Sequence, residues 1–408
     1  MFWLTRAFFL IIAAVAITGL VSGVGCTRRG KSSPIPATAS PLTTINVNPA
    51  TGSDSTGNGT ATKPYKTLTK AVAVVKASLT PNLTIQLATG AYDAANGEIF
   101  PIVIPTGMTI AGSGFGRGPF KNMGSFIDGF GEDTAYEKLL GKPPGSAFAT
   151  LEVAQAVTSG VSLTGVYVGS SRLALRAGAA YAGADVLGAL TASHAAFASG
   201  TPLTHPNLGG IVLPGGSLSC TACTILGGDY ALLAFTAPTG VAPNISLTGQ
   251  PTESIIGGKI GINTDGSANV DASYQTFQSQ RYGYQDSVAP IVSPLPIAVI
   301  DFGQGPTQSS GGNIFIGAAS VVSEISVTAA QATVYAFGDV WNRLTQGTDS
   351  HGLYAKPRVF LPGARGRNVT IAGGATGSSV LVGPISATPT PQPSPTPSGG
   401  PTPTSSPT

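Results

Sequence analysis

Apolar residues in the first third of the chain follow two different periods, and each period predicts one type of element. Leu68, Val72 and Val75 recur at i, i+4 and i+7, which places them on one face of a helix. Thr67 precedes them, and its hydroxyl can accept hydrogen bonds from the free amide groups of the first turn. We therefore predict a short helix that begins after Thr67 and packs its apolar stripe on a hydrophobic surface.

The residues after this helix alternate between apolar and polar, as in a half-buried strand. The alternating apolar positions are Ile85, Leu87, Ile102, Ile104, Met108 and Ile110. Turn-forming residues interrupt the alternation at Gly90, at Asn96-Gly97 and at Pro105-Thr106-Gly107. The predicted order is loop, cap helix, strand, turn and strand.

The turn and strand motifs of this stretch resemble those of a bacterial family of unknown function. The matching segments are Gly57-Asn58-Gly59-Thr60, Lys63-Pro64-Tyr65-Lys66-Thr67-Leu68, Gly90-Ala91-Tyr92, Asn96-Gly97-Glu98, Pro101 and Thr109-Ile110-Ala111-Gly112. That family begins right-handed parallel β-helices of the pectate-lyase-like superfold. The resemblance implies an all-β fold, a right-handed parallel β-helix with a short N-terminal capping helix. It implies no catalytic residue, because the family's activity is not established.

The middle of the chain is repetitive. A leucine opens a short β-like run at Leu163, Leu190, Leu218 and Leu247. The runs close on Gly169, Gly200, Gly227 and Gly257, which lie 31, 27 and 30 residues apart. We interpret each unit as one coil of a solenoid and expect residues 44–385 to form a single β-helix domain. Antiparallel hairpins in a sandwich are the alternative interpretation of short strands with glycine turns.

Two polar stretches interrupt this pattern, and we interpret both as excursions from the coils. Residues 115–145 are predicted to carry a short helix near Tyr136 to Leu140, and residues 271–296 hold several aromatic and charged side chains. Long loops on solenoids often carry function, so either excursion is a candidate wall of a groove.

The last third of the chain resembles the closing coils of the same superfold. Its Gly-Asn-x-Phe turn contains Asn313, which the resemblance places in a stacked ladder of side chains with a structural role. Asp339 stands where such coils often have a second Asn, which puts a ladder made only of amides in doubt. Residues after Lys356 are expected to add a terminal strand or cap.

An apolar run over residues 7–24 ends next to Cys26. It resembles a bacterial lipoprotein signal, in which Cys26 becomes the acylated N-terminus. We expect residues 1–26 to be this signal, residues 27–43 a flexible tether, and the lipid to hold the protein on a membrane. The basic cluster Arg28-Arg29 follows the run, and the positive-inside rule disfavours its export, so an uncleaved anchor and simple secretion stay open. All three interpretations place the chain outside the cytoplasm, in the cell envelope or at the cell surface.

Residues 386–408 consist almost entirely of Pro, Thr, Ser and Gly. Such a segment buries too little apolar surface to offset the entropy of ordering, so we predict a disordered, extended tail. A passive tail, a spacer, a glycosylated segment and a wall-threading element are its alternative roles.

Charge and composition narrow the function classes. Only 10% of the residues are charged and the formal net charge is +3. Without a long basic run the chain lacks the footprint of a nucleic-acid-binding protein. Tyr282 and Tyr284, with Arg281, are the candidate ligand-binding residues, because aromatic rings can be presented to a sugar. Trp341 is a further ring, and burial in the core is the alternative for each ring.

The superfold that the chain resembles includes lyases and hydrolases of acidic polysaccharides. A lyase would need Ca²⁺ on clustered carboxylates with Arg or Lys as base, and a hydrolase needs carboxylates facing the scissile bond. The ionisable residues between 153 and 300 look isolated in the sequence: Asp185, Asp229, Glu253, Asp265, Asp271, Asp286, Arg172, Arg176, Lys259 and Arg281. Coil stacking makes Asp229, Lys259 and Asp286 the candidate catalytic group, with solvated turn charges as the alternative. We predict no metal site and no cofactor, and Ca²⁺ only if the chain is a lyase.

Cys220 and Cys223 form a lone Cys-x-x-Cys on a strand-like segment. Positions i and i+3 point to opposite faces of a regular strand, so a disulfide between them needs a turn. Two free thiols in adjacent coil positions are the expectation, followed by a disulfide and then by metal or redox chemistry.

These observations favour an exported, lipid-anchored β-helix at the cell surface that binds polysaccharide without cleaving it. A polysaccharide lyase or glycoside hydrolase on the same scaffold is the first alternative. A structural or adhesive surface protein is the second.

Overall fold

The computed structural model describes residues 43–78, 83–114, 124–155, 160–170, 179–199, 208–249, 254–288, 298–317, 324–328, 332–343, 358–364, 369–372, 375 and 378–383. The predicted signal with Cys26, most of the predicted tether and the predicted tail lie outside these residues. Within them the chain forms 29 strands, two α-helices and one short 3-10 helix. No helix in the described part has the length and apolar character needed to span a membrane.

The elements follow one another in a regular order along the chain. They are β1 (Thr44–Val47), α1 (Leu68–Ser78), β2 (Thr84–Leu87), β3 (Gly90–Asp93), the 3-10 helix (Ala94–Asn96), β4 (Ile102–Ile104), β5 (Thr109–Ala111), β6 (Ser125–Asp128), β7 (Gly131–Glu132), α2 (Thr134–Leu139), β8 (Ala147–Val153), β9 (Val161–Thr164), β10 (Val166–Ser170), β11 (Ala180–Val186), β12 (Ala189–Ser193), β13 (Ala196–Ser199), β14 (Leu208–Pro214), β15 (Ser217–Thr221), β16 (Thr224–Leu226), β17 (Tyr230–Phe235), β18 (Asn244–Thr248), β19 (Ile255–Thr264), β20 (Asn269–Ser273), β21 (Thr276–Asp286), β22 (Ala298–Gly303), β23 (Ile314–Gly317), β24 (Ile325–Val327), β25 (Ala332–Phe337), β26 (Val340–Arg343), β27 (Arg358–Phe360), β28 (Val369–Ile371) and β29 (Ser379–Gly383).

The strands stack into a parallel β-helix with three faces. The first face runs β1, β2, β5, β9, β12, β15, β18, β20, β22, β25, β29 and β27. The second face runs β3, β6, β10, β13, β16, β19, β21, β23 and β26. The third face runs β4, β8, β11, β14, β17, β19, β21, β24 and β28. The long strands β19 and β21 belong to both of these faces, and the described pairs are parallel except β7 with β8 and β27 with β29. The fold class expected from the sequence is therefore confirmed.

The core consists of side chains that stack in register from coil to coil, because each strand points alternate residues inward. On the first face one such ladder contains Ile45, Ile85, Ile110, Leu163, Ala192, Cys220, Leu247 and Ala272. On the third face another contains Leu151, Ala184, Ile211, Leu232, Ile262, Tyr284, Ile325 and Val369. Each residue is covered by its neighbours in the coils above and below, so the stability of one coil depends on the next.

The helix predicted after Thr67 is α1, and it packs against β1 and β4 at the first coils. Its buried face contains Leu68, Val72 and Val75, as predicted. The Thr67 hydroxyl accepts a hydrogen bond from the Lys70 amide at 3.0 Å. A second cap comes from a distant residue that the local pattern did not predict: the buried Glu98 carboxylate accepts the Leu68 and Thr69 amides at 2.6 and 2.8 Å.

The expectation that Cys220 and Cys223 are free thiols is wrong, since they form a disulfide. The reason is the corner between the first and second faces, where the chain turns sharply after several first-face strands. Ala222 adopts a left-handed φ of 53° at this corner, which swings Cys223 back towards Cys220. His194 and Tyr274 have φ of 46° and 56° at the equivalent corners, so the turn is a repeated feature of the coils.

Asn313 has the structural role predicted for it. Its side-chain carbonyl accepts the Gln275 amide at 2.9 Å, and its amide nitrogen donates to the carbonyls of Ala272 and Phe302 at 2.8 and 2.7 Å. Asp339 takes the place of a second amide, and its Oδ1 accepts the backbone N–H of Asn313 at 2.9 Å. Burial raises the pKa of Asp339 well above its usual value, despite these hydrogen bonds.

The prediction that residues 271–296 form an excursion is wrong for the described part. Residues up to 273 complete β20, and residues 276–286 form β21, one of the longest strands. Arg281, one of the charged residues that suggested a loop, is an exposed outward position of that strand. The terminal strand expected after Lys356 is present as β27 to β29.

Candidate functional site

A shallow cleft lies on the outer surface of the first face, and we call it the hydroxyl cleft. It crosses the four successive strands β12, β15, β18 and β20 and has a volume of about 310 Å³. Its outward side chains are Ala189, Thr191, Ser217, Ser219, Asn244, Ser246, Asn269 and Asp271, and Thr307 stands at its side. Ligand pockets of proteins begin at about this size, so the cleft admits a small ligand or part of a chain.

Strand register arranges these side chains in two columns. The first column is Ala189, Ser217, Asn244 and Asn269, and the second is Thr191, Ser219, Ser246 and Asp271. Neighbours within a column lie about 4.8 Å apart, and the columns lie about 6.7 Å apart, because these are the strand spacing and the two-residue rise of a sheet. Apart from Ala189, the cleft therefore offers one hydrogen-bonding side chain per column on each successive coil along the helix axis. Asn269 also donates to the side-chain oxygen of Asn244 at 3.0 Å, which orients both amides.

The wall of the cleft is built by Asp301, which is buried and lies directly beside Asp271 in the register. Asp301 accepts hydrogen bonds from the amides of Gly303, Gly305, Thr307 and Ser309 and from the Thr307 hydroxyl, at 2.8 to 3.3 Å. One carboxylate thus organises the loop after β22. The consequence is that Thr307 is held at the edge of the cleft.

Asp271 is the acidic side chain among the described residues that line the cleft. Burial and the neighbouring Asp301 raise its pKa, while a hydrogen bond with Ser309 opposes the shift. It is half-buried and borders the cleft at the same end as Thr307. A carboxylate in this position can accept hydrogen bonds from hydroxyl groups of a ligand.

A second, smaller pocket lies on the outer surface of the third face, where α2 covers the sheet. We call it the acid pocket, and its polar and aromatic lining residues are Asp133, Tyr136, Phe148, Tyr181, Asp185 and Tyr230. The helix predicted in the excursion over residues 115–145 is α2, and it is held to β8 by Glu137. The Glu137 carboxylate accepts the amides of Ser146 and Ala147 at 2.7 and 2.9 Å.

Two carboxyl groups meet in the acid pocket. Neither oxygen of Asp185 has an N–H or O–H partner of normal geometry among the described residues, and the group that lies against it is the Asp133 carboxyl. Two carboxyl groups can share a hydrogen bond only when one carries a proton, and the larger rise in pKa favours Asp185 as the group that holds it. Asp133 is the N-cap of α2 and accepts the Tyr136 amide at 2.9 Å. Burial raises the pKa of Asp185 well above its usual value and raises the pKa of Asp133 as well.

Other groups around the pair make the pocket both acidic and aromatic. Glu152 is paired with Asp185 in the sheet register, and its pKa is raised by burial and by Asp133 and lowered by Lys76. Phe148 and Tyr181 stack with ring centroids 5.1 Å apart. The Tyr230 ring lies across Gly209, where a Cβ atom would come within 2.4 Å of it.

Asp229 and Lys259, predicted from coil stacking, do come together. The Lys259 ammonium lies 3.5 Å from the Asp229 carboxylate, and both side chains are partly exposed. An ion pair of this kind contributes little to stability.

Asp286 does not lie with Asp229 and Lys259. Asp286 pairs with Thr264, four strand positions beyond the rung of Ile260, so it lies about 13 Å along the sheet from the ion pair. It is buried, and its carboxylate accepts hydrogen bonds from the Thr328 amide and hydroxyl. Its role is to hold the turn after β24.

The predicted ligand-binding residues divide between the core and the surface. Tyr284 is 0% exposed and belongs to the inward ladder of the third face, so its ring is closed to a ligand. Trp341 is also buried, in a stack with Phe315 at 4.8 Å. Arg281 is exposed and Tyr282 is half-buried on the outer surface, and both stay predictions.

Reasoning from the sequence missed the carboxyl pair and the hydroxyl columns. It treated Asp185 as isolated because Asp133 lies in the excursion, before the repeats begin. A signal was present, since Glu152 and Asp185 both occupy an outward position between buried apolar residues of their strands. The columns were visible as polar residues at alternate positions of the strand-forming segments, as in Asn244-Ile245-Ser246 and Asn269-Val270-Asp271.

Comparisons with known proteins find one family model for part of the chain and assign no activity. Residues 50–177 match the family described as "Protein of unknown function (DUF1565)". No curated protein matches the chain.

Among solved structures, the GH136 lacto-N-biosidase from Eubacterium ramulus is 9% identical, with a TM-score of 0.35 over 84% of this chain and 67% of that one. A rhamnogalacturonan lyase is 11% identical, with a TM-score of 0.33 over 83% of this chain and 86% of that one. Identities this low transfer no activity. The chain, a parallel β-helix by its strand pairing, matches a family of proteins of unknown function over residues 50–177.

Proposed function

We propose that this protein binds polysaccharide in the hydroxyl cleft and does not cleave it. The observation that carries the proposal is the pair of polar columns across four coils. A polysaccharide repeats its hydroxyl groups along its length, and the columns repeat hydroxyl, amide and carboxylate groups along the helix axis. Each coil can therefore meet one part of an extended chain with similar hydrogen bonds.

The chemistry of the lining groups suits a neutral or hydroxyl-rich glycan. Ser219, Thr191 and Ser246 can each donate and accept, and Asn244 and Asn269 present oriented amides. Sugar hydroxyls need this mixture of donors and acceptors. The open shape of the cleft favours a moderate affinity that grows with the number of sugars bound.

Cleavage is disfavoured by the positions of the described carboxyl groups. A glycosidase needs two carboxyls about 5 to 10 Å apart across the scissile bond. In the hydroxyl cleft Asp271 stands beside Asp301, whose oxygens are occupied by the wall loop. In the acid pocket Asp133 and Asp185 touch each other, which leaves no room for a sugar between them. A polysaccharide lyase or hydrolase is therefore the alternative function, and a test of the proposal must distinguish binding from cleavage.

Export and lipid anchoring belong to the same proposal. The lipoprotein-type signal ending at Cys26 motivates it, and the disulfide between Cys220 and Cys223 supports it, because disulfides persist in oxidising compartments outside the cytoplasm. Labelling with radioactive palmitate in a bacterial host tests the anchor. Wild-type chain should incorporate label and the Cys26→Ala variant should not, whereas label in neither would remove the lipid from the proposal.

Binding is tested by retention of the purified full chain on immobilised neutral and acidic polysaccharides, with and without Ca²⁺. Ser219→Trp places a large ring in the middle of the cleft. Gln278→Trp is the matched control, because Gln278 is an exposed outward residue of the second face. We expect Ser219→Trp to weaken retention about tenfold or more, equivalent to ~1.4 kcal/mol, and Gln278→Trp to leave it unchanged. Equal retention of both variants would place the glycan elsewhere, and no retention of wild type would favour a structural or adhesive role.

A further inference from the structure

We propose that the acid pocket is a binding site for a protonated amino group, an alkylammonium ion. This proposal is independent of glycan binding in the hydroxyl cleft. It rests on the buried Asp185 carboxyl, which lacks an N–H donor of normal geometry among the described residues, on the surplus of negative groups and on the aromatic walls, which are three separate observations.

The surroundings of Asp185 indicate that a hydrogen-bond donor is missing. Its side chain is 1% exposed and lines the pocket, yet neither of its oxygens makes a hydrogen bond of normal geometry to a donor among the described residues. The shared proton with Asp133 satisfies at most one oxygen. A buried carboxyl oxygen without a hydrogen bond costs stability, so a donor that enters the pocket and reaches it is favoured.

The charges around the pocket select a cation as that donor. Asp133 on α2, Glu152 on β8 and Asp185 on β11 form a row of three carboxyl groups. Lys76 on α1 is the positive group that acts on Glu152, and Glu137 adds a further negative charge near Asp133. Neutralising the negative charge of these carboxyl groups needs more positive charge than Lys76 supplies.

The walls select an organic cation over a metal ion. Half-buried rings of Tyr136, Phe148 and Tyr230 form the rim, and the ring of Tyr181 lies deeper. Aromatic faces attract ammonium groups with their ring electrons, and cages of this type recognise alkylated amines. The acidic, cysteine and histidine side chains of the described part converge nowhere in a set of three or more suited to a metal.

The size of the pocket fits the head of such a ligand. Its volume is about 10 Å³, close to the space that one water molecule needs, and an ammonium head is similar in size. Binding then exchanges cations: the alkylammonium enters, the proton shared by Asp133 and Asp185 leaves to solvent, and both carboxyls become ionised. Tyr136 and Tyr230 stay neutral throughout, because burial raises the pKa of each hydroxyl.

This exchange makes the affinity depend on pH in a defined direction. The free pocket holds a proton that the occupied pocket lacks, so affinity rises with pH until the pair is ionised without ligand. It falls again only when the amine itself loses its proton, above about pH 10.

The test is equilibrium dialysis of radioactive methylammonium against the full chain at pH 5 and pH 8 and constant ionic strength. We expect saturable binding of one methylammonium per chain, several-fold tighter at pH 8. Asp185→Asn should weaken it about tenfold or more, and Tyr136→Leu, which keeps an apolar side chain but removes the ring, should weaken it less. Asp229→Asn is the matched control, since Asp229 sits in the surface ion pair with Lys259, and should bind as wild type does.

Competing ligands identify the source of the amino group. Glucosamine that displaces methylammonium while N-acetylglucosamine does not would point to an amino sugar, and displacement by a free alkylamine alone would point to a small amine. If potassium competes as strongly as unlabelled methylammonium does, the aromatic rings do not contribute to the selectivity of the pocket. Absence of saturable binding at pH 8 would overturn the site and leave the pocket to water.

Discussion

Replacing Asn313 by alanine should weaken the late coils far more than the loss of a surface amide does. The Asn313 side chain is completely buried: its carbonyl accepts the Gln275 amide, and the two N–H groups of its Nδ2 are shared among the Ala272 and Phe302 carbonyls and Asp339 Oδ1. Alanine leaves one buried amide and two buried carbonyls without these partners. It also leaves the Asp339 side chain with one donor fewer.

The magnitude follows from the cost of unpaired groups. A buried donor or acceptor left without a partner costs about 1–3 kcal/mol, and some of the three groups will find partial replacements. We expect the free energy of unfolding to fall by about 3–5 kcal/mol, a large part of the 5–15 kcal/mol typical of a domain. Asn269→Ala is the matched control, because Asn269 lies at the surface with two hydrogen bonds, and should cost about 1 kcal/mol.

Urea unfolding followed by tryptophan fluorescence measures this effect locally. The chain has two tryptophans, Trp3 and Trp341, so a Trp3→Phe background leaves Trp341 as the reporter. Trp341 stacks on Phe315, two residues after Asn313, and reports on these coils. A cost for Asn313→Ala no larger than that for Asn269→Ala would show that the buried amide does not hold the corner.

Three further perturbations have expected outcomes. Gly209→Ala should push the Tyr230 ring out of the acid pocket and lower methylammonium affinity about two- to fivefold, the equivalent of one cation–π contact, measured by dialysis. Asp339→Asn should flatten the pH dependence of stability, measured by urea unfolding at several pH values. Because the pKa of Asp339 is raised in the fold, the folded chain holds a proton that the unfolded chain has lost. The free energy of unfolding of the wild type should therefore fall by up to about 1.4 kcal/mol per pH unit as the pH rises above about 4 towards the raised pKa. Replacing both Cys220 and Cys223 by alanine should lower the free energy of unfolding by about 2 kcal/mol, because the closed loop is short.

Each of these outcomes can fail separately. Unchanged methylammonium affinity in Gly209→Ala would mean that Tyr230 does not contact the ligand. A pH profile for Asp339→Asn parallel to wild type would mean that Asp339 is ionised in the fold. A loss well above about 2 kcal/mol in the cysteine double variant would mean that packing, and not chain entropy, dominates at that corner.

The early coils could be predicted from the sequence because local signals and tertiary environment agree there. The α1 stripe of Leu68, Val72 and Val75 and the alternating strands around Ile85 and Ile110 are buried as the pattern predicts. In these elements one periodicity decides which side chains face the core.

The candidate sites could not be predicted in the same way, because register between coils decides them. Tyr284 and Tyr282 are two positions apart in one strand, yet one is in the core and the other half-buried at the surface, since β21 crosses from the second face to the third. The meeting of Asp133 with Asp185 depends on how α2 folds back over the sheet. The residues next to these side chains in the sequence predict neither the burial of Tyr284 nor the contact between Asp133 and Asp185.

Binding without cleavage is decided by measuring both in one tube. The full chain is incubated with each polysaccharide that retains it, with and without Ca²⁺, and retained protein and new reducing or unsaturated ends are counted together. We predict retention that Ser219→Trp weakens, with no new ends. New ends that disappear in the Asp185→Asn or Asp271→Asn variant would contradict the binding proposal and make the protein an enzyme.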